Sequence, residues 1–149
     1  MPTFVLIAIA VAIGVATAVY LPMNAVMARH LGSPELANTL FFFVGTVGTL
    51  ALLVFNLDKV SLARLGDAPW YLFLSGLVSA LVILSVTLLV PRLGARVLFV
   101  SLIGGQVLMS LVVSHFGWLA SPKDPLTGMK ILGGGLVVAG VIVTTLSAD

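Results

Sequence analysis

Of the 149 residues in this chain, 60% are hydrophobic and 8% are charged, and the mean hydropathy is +1.26. A soluble domain is about 25% charged, and a fold of this size has too little interior to hide so much apolar surface, so the composition excludes a water-soluble globule. The net charge of +2 rests on scattered groups, which excludes a nucleic-acid footprint, and the absence of cysteine excludes disulfides, thiolate metal sites and cysteine nucleophiles.

Five stretches carry no Asp, Glu, Lys or Arg, and His115 is the one histidine inside them: 3–28, 36–57, 68–91, 97–122 and 131–148. A spanning helix needs about 20 mostly apolar residues to cross about 30 Å of hydrocarbon. The pattern predicts an all-α integral membrane protein, one transmembrane domain over 1–149 with five transmembrane helices at 3–28, 36–57, 69–91, 96–117 and 128–147. No linker is long enough for a soluble domain.

The first predicted helix opens without a basic n-region, and its apolar run exceeds the ~7–15 residues of a signal-peptide core, so it is expected to be retained. Ala10, Gly14, Thr17, Leu21, Asn24 and Ala28 share one small, mildly polar face of it. Pro22 lies within the run. It lacks an N–H and frees the carbonyl of Ala18, so it either kinks the helix at depth, as in many transporter sites, or merely ends or bends it near the interface. The connection 29–35 contains Ser33-Pro34-Glu35, a helix start with Ser33 as N-cap and proline in the first turn.

In the second helix Asn38, Phe42, Gly45 and Thr49 share a face. Trp70 and Tyr71 open the third at a position suited to the aromatic belt. The 91–96 segment, with Pro91 and Gly94, reads as the turn into the fourth. There Gln106, Ser110 and Ser114 recur at four-residue intervals. Gln106, near the middle of the span beside Gly104 and Gly105, is either interhelical glue or a donor–acceptor pair for a polar solute. His115 is expected to be hydrogen-bonded to loop backbone at the interface, with proton coupling as the sharper alternative. The last helix carries Gly133-Gly134-Gly135 and Gly140, which suit close packing in lipid.

Counting Lys and Arg by side gives Arg29, Arg92 and Arg96 against Lys59, Arg64, Lys123 and Lys130. So even a balance gives almost no orientation signal. A chain of this kind can insert both ways, and two copies in opposite orientation can pack as an antiparallel dimer; a fixed orientation set by a partner is the alternative.

A set of motifs in order resembles the small YdcZ-like family of the drug/metabolite transporter superfamily, related to the EamA transporters. They are P-x-N (22–24), L-G-S-P (31–34), F-x-V-G-T (42–46), A-P-W-Y (68–71), P-R-L-G-A (91–95), G-G-Q-V-L-M-S-L (104–111), H-F-G-W-L (115–119) and Pro125-Leu126-Thr127. The resemblance covers essentially the whole chain. It implies half of a ten-helix inverted-repeat transporter fold, completed by an antiparallel homodimer or a related-chain heterodimer, in a multi-pass bacterial inner membrane protein. Relatives usually carry an acid directly before the histidine; here Ser114 stands there.

No Asp or Glu lies within a predicted span, which argues against export of lipophilic cations through a buried carboxylate. The reading is a secondary transporter or facilitator of a small neutral or anionic metabolite. Thr17, Asn24 and Gln106 line its path, and Asn38 and Ser110 stand behind them. The alternatives are a small dual-topology ion channel and a non-transporting membrane scaffold subunit. No nucleophile–base pair, metal cluster or phosphate cradle points to an enzyme, a cofactor or a metal.

Overall fold

The computed structural model describes residues 2–56 and 64–147. Those residues are helical almost throughout, as lipid demands: with no water to bond exposed N–H and C=O groups, a spanning segment satisfies its backbone internally. Helix α1 is Thr3–Leu31, α2 is Pro34–Asn56, α3 is Leu74–Phe116 and α4 is Gly128–Leu146. Short 3-10 turns at Arg64–Asp67 and Trp70–Phe73 precede α3. Among the described residues, four helices are long and apolar enough to cross a membrane.

The sequence predicts five spans, and the difference lies in α3. At 43 residues it would be about 65 Å long if straight, roughly twice the hydrocarbon thickness. Gly94, at φ 74° and ψ 154°, is non-helical inside it. That region of backbone space is essentially open to glycine alone. The predicted 91–96 turn therefore reduces to one interrupting residue, and Pro91 lies within the helical stretch before it. The predicted third helix also begins late: residues 70–73 form a 3-10 turn, and α-helix starts at Leu74.

Helix α1 runs three residues past the predicted end at 28. It passes through Pro22 and stops at Gly32, which takes the left-handed conformation (φ 68°, ψ 10°). Of the readings of Pro22, termination is excluded, because the helix continues beyond it to Leu31; a proline is tolerated inside a long apolar helix whose other residues remain bonded. The link to α2 is only Gly32 and Ser33. Ser33 Oγ accepts the N–H of Leu36 at 3.1 Å and donates to Glu35 Oε2 at 2.9 Å, so the predicted N-cap is present.

The chain divides into two compact units, 1–92 and 93–149. In the first, the buried residues of α1 and α2 are Leu21, Asn24, Ala25, Ala28 and Ala37, all near the Gly32 turn. Ile83, Val86 and Thr87 are the buried residues of the α3 stretch in that unit. Away from the turn, the first half of α1 and the second half of α2 expose large apolar side chains such as Phe4, Ile7, Ile13, Leu50 and Leu53.

In the second unit, the stretch of α3 after Gly94 packs on α4. A Cβ at Gly104 would stand 2.6 Å from Val141 Cγ2, and one at Gly134 would stand 2.9 Å from Leu111 Cδ1. Missing side chains let the backbones approach, as small residues do in membrane bundles. Arg96 Nη2 donates to the carbonyl oxygen of Ser147 at 3.1 Å, capping the end of α4.

The connector between α3 and α4 is tied down. The N–H of Asp124 donates to the Ser114 carbonyl at 2.8 Å. Lys130 pairs with Asp124 and donates to the Pro125 carbonyl. The N–H of Leu126 donates to His115 Nδ1 at 3.1 Å, so the bland expectation for His115, a bond to loop backbone, is what the fold builds.

Candidate functional site

The polar centre of the first unit is Asn24. It is 5% exposed, and its Nδ2 donates to Thr87 Oγ1 at 2.8 Å. Thr87 is 2% exposed, and its hydroxyl donates onward to the Ile83 carbonyl at 2.9 Å. Helix geometry explains the placement. Leu21, Asn24, Ala25 and Ala28 recur at spacings of three and four and so form one stripe of α1, which is its buried face. A buried carboxamide in an apolar bundle is costly unless bonded, and Thr87 supplies the acceptor.

Asn38, one turn into α2, reaches the same stretch of α3. Its Nδ2 donates to the Ala80 carbonyl at 3.2 Å, while its Oδ1 is enclosed with no partner. The two amides thus engage acceptors seven residues apart on α3, two turns or about 10 Å along the axis. Both turn their NH₂ groups toward the protein. Reversing Asn38 would set its oxygen against that of Ala80, so the carbonyl fixes the amide's direction.

Asn24 and Ala37 form the buried floor of a groove of about 480 Å³ between α1 and α2. Its walls are Tyr20, Met23, Met27, Leu40, Phe41, Val44 and Gly45. The Tyr20 and Phe41 rings stack at 6.0 Å, and Phe42 meets Phe41 edge-on at 5.3 Å.

The remaining expected lining residues fall elsewhere. Thr17 bonds back to its own helix, donating to the Ile13 carbonyl at 2.8 Å. Its neighbour glycine, Gly14, faces open space. Gln106 and Ser110 belong to the second unit. Both are exposed, and the Ser110 hydroxyl donates to the Val107 carbonyl at 2.8 Å. Of the glycines beside Gln106, Gly105 faces open space and Gly104 is filled by Val141. The structure therefore brings Asn24 and Asn38 against one stretch of α3 and leaves Gln106 without a protein partner among the described residues.

Sequence reasoning missed Thr87, Tyr20 and Phe41. Thr87 stands in an uncharged run with Ser79 and Ser85. Nothing local sets it apart except its place four residues after Ile83 and one after Val86 on the buried face. Among the described residues, no group of three or more His, Asp or Glu could hold a metal ion.

Long uncharged helices, glycine-mediated packing and hydrogen bonds between helices define a multi-pass helical membrane protein. A family model described as "Putative inner membrane exporter, YdcZ" matches residues 5–143. The chain belongs to that family and is a multi-pass inner membrane protein. No curated protein and no solved structure matches it.

Proposed function

We propose that this chain is a secondary transporter or facilitator of a small neutral or anionic metabolite. In this reading it has five spans, the third and fourth meeting at Gly94, and works as an antiparallel dimer. Two inverted copies then supply the two halves of a transporter, with a solute site between them near the bilayer midplane. The observation that carries the reading is the Asn24 amide. It is buried and bonded across helices, and Asn24 lines a groove between α1 and α2, in a chain of a membrane exporter family. Polar groups at depth in a bundle are costly and mark solute paths.

The exposed Gln106 and the unfilled faces at Gly14, Gly45 and Gly48 support a second copy, because a lone carboxamide facing hydrocarbon has no acceptor or donor there. The even basic count supports insertion both ways.

The test is membrane orientation in cells, read by labelling single cysteines at Gly66 and at Lys123 of this cysteine-free chain with an impermeant maleimide. Labelling from both sides at both positions is the expected result. Labelling from one side only sinks the antiparallel homodimer and turns the search to an oppositely oriented related chain.

A further inference from the structure

We infer that the groove between α1 and α2 is a binding site for an uncharged apolar solute that donates a hydrogen bond, received by the Asn24 carbonyl oxygen. The inference rests on the transport reading and narrows its substrate to neutral donors.

In the Asn24 and Asn38 amides only the NH₂ half is committed to a protein partner among the described residues. Asn24 spends its NH₂ on Thr87 Oγ1 at 2.8 Å. Thr87 cannot return a proton to it, because its own hydroxyl donates to the Ile83 carbonyl at 2.9 Å. The Asn24 carbonyl oxygen accepts no bond from the protein among the described residues, although the residue is 95% buried (5% exposed). It is also not an enclosed orphan, a condition that among the described residues applies only to Asn38 Oδ1. Asn24 lines the groove, and its oxygen, the half of the amide not held by Thr87, is the polar group it has left to offer there. What it offers is acceptance.

A solute without a donor would strip any water from this oxygen and replace it with nothing, leaving the full desolvation cost unmet. A solute with an N–H or O–H restores the bond. No charged side chain lines the groove, so a cation would enter low dielectric without a counter-charge, and an anion would meet an acceptor rather than a donor. The rest of the surface, Met23, Met27, Phe41 and Val44 with the ring of Tyr20 at the side, suits a flat apolar body. Methionine thioethers adapt to varied outlines, and stacked rings favour an aromatic one. Tyr20 carries the only other side-chain polar group of the lining, and at 41% exposure it stands at the rim rather than on the floor.

The test uses the full chain in lipid nanodiscs with tritiated carbazole, a rigid apolar solute bearing one N–H. Unlabelled carbazole and 9-methylcarbazole are the competitors. The two differ in the donor and little else. Carbazole is expected to displace the label about tenfold more effectively than 9-methylcarbazole, the factor one such hydrogen bond supplies. Asn24→Leu is expected to remove the saturable component. Thr87→Val keeps the side-chain outline but frees the Asn24 NH₂ to turn into the groove; it is expected to bind still and to bring the competitors within about twofold, whatever the folding of Asn24→Leu.

Equal competition in the unaltered chain overturns the donor requirement and makes the groove a seat for a lipid chain or a side chain of a second copy. No saturable binding overturns the site itself. Because binding is read without flux or orientation, the two readings fail separately. Saturable, donor-selective binding in a protein that labels from one side leaves the site standing and removes the antiparallel homodimer. Dual labelling without binding does the reverse.

Discussion

Asn24 and Thr87 meet across 63 residues of sequence in a 2.8 Å hydrogen bond between two buried side chains. It ties α1 to α3 close to the Gly32 turn, where the packed part of the first unit lies. Interhelical hydrogen bonds in membranes are worth about 0.6 kcal/mol on average and reach about 1.7 kcal/mol. A double-mutant cycle with Asn24→Ala and Thr87→Val, read by reversible denaturation in mixed micelles, is expected to give a coupling of about 1 kcal/mol. Strict additivity would mean that the pair is a contact without energetic weight.

Gly94 holds a backbone conformation that other residues adopt only under strain of about 1–3 kcal/mol. Nothing lies within 4 Å of where its Cβ would be, so the effect of Gly94→Ala is one of backbone alone. The expected outcome is a lower midpoint of thermal aggregation, and Gly94→Ala and Gly94→Asn should differ little from Gly94→Val. A neutral Gly94→Ala would show that the break is not required at this residue.

Gly104 and Gly105 are adjacent and have opposite surroundings. A methyl at Gly104 would press on Val141, while a methyl at Gly105 meets nothing within 4 Å. Overpacking typically costs about 1–3 kcal/mol. Gly104→Ala is therefore expected to lower stability by that order, Val141→Ala to rescue it in part, and Gly105→Ala to be neutral or slightly favourable through helix propensity. Thermal-shift curves of the four proteins check the order; equal effects at the two glycines would contradict the packing described.

The connector between α3 and α4 hangs on His115, whose Nδ1 receives the Leu126 N–H. His115→Phe keeps a ring and removes the acceptor, whereas His115→Asn retains an acceptor on a shorter arm. Trypsin cleavage after Lys123, an exposed residue in that connector, is expected to speed up several-fold in His115→Phe and less in His115→Asn. Unchanged cleavage in both would assign the order of the connector to the Asp124–Lys130 pair and the Ser114 carbonyl instead.

The sequence is informative wherever a residue's role is decided by its immediate neighbours or by the solvent. Charge-free runs of spanning length mark the helices because lipid penalises charge in each of them separately. The Ser33 cap and the backbone bond of His115 are likewise local, set within a turn or a single connector. Pro22 and the 91–96 segment are harder. Proline and glycine announce a break, but whether a helix ends, bends or continues depends on what packs around it, and here α1 continues while only Gly94 departs. The site is legible in part. Asn24 and Asn38 stand out because amides are rare in apolar spans. Thr87 does not, since a hydroxyl can satisfy itself on its own helix and gives no sign of accepting from another. Gln106, the other conspicuous amide, has no protein partner among the described residues.

Gly14, Gly45 and Gly48 each face empty space within the chain. A glycine inside a helix is less favourable than alanine by about 1 kcal/mol, and at none of these positions is that deficit recovered through a close contact among the described residues. Helices α1 and α2 thus carry shallow notches that no side chain among the described residues fills. Their tolerance to alanine is a readout of the surroundings: harmless where only fluid lipid meets them, harmful where another backbone comes to rest. Three conservative substitutions would thus tell lipid from protein at each notch.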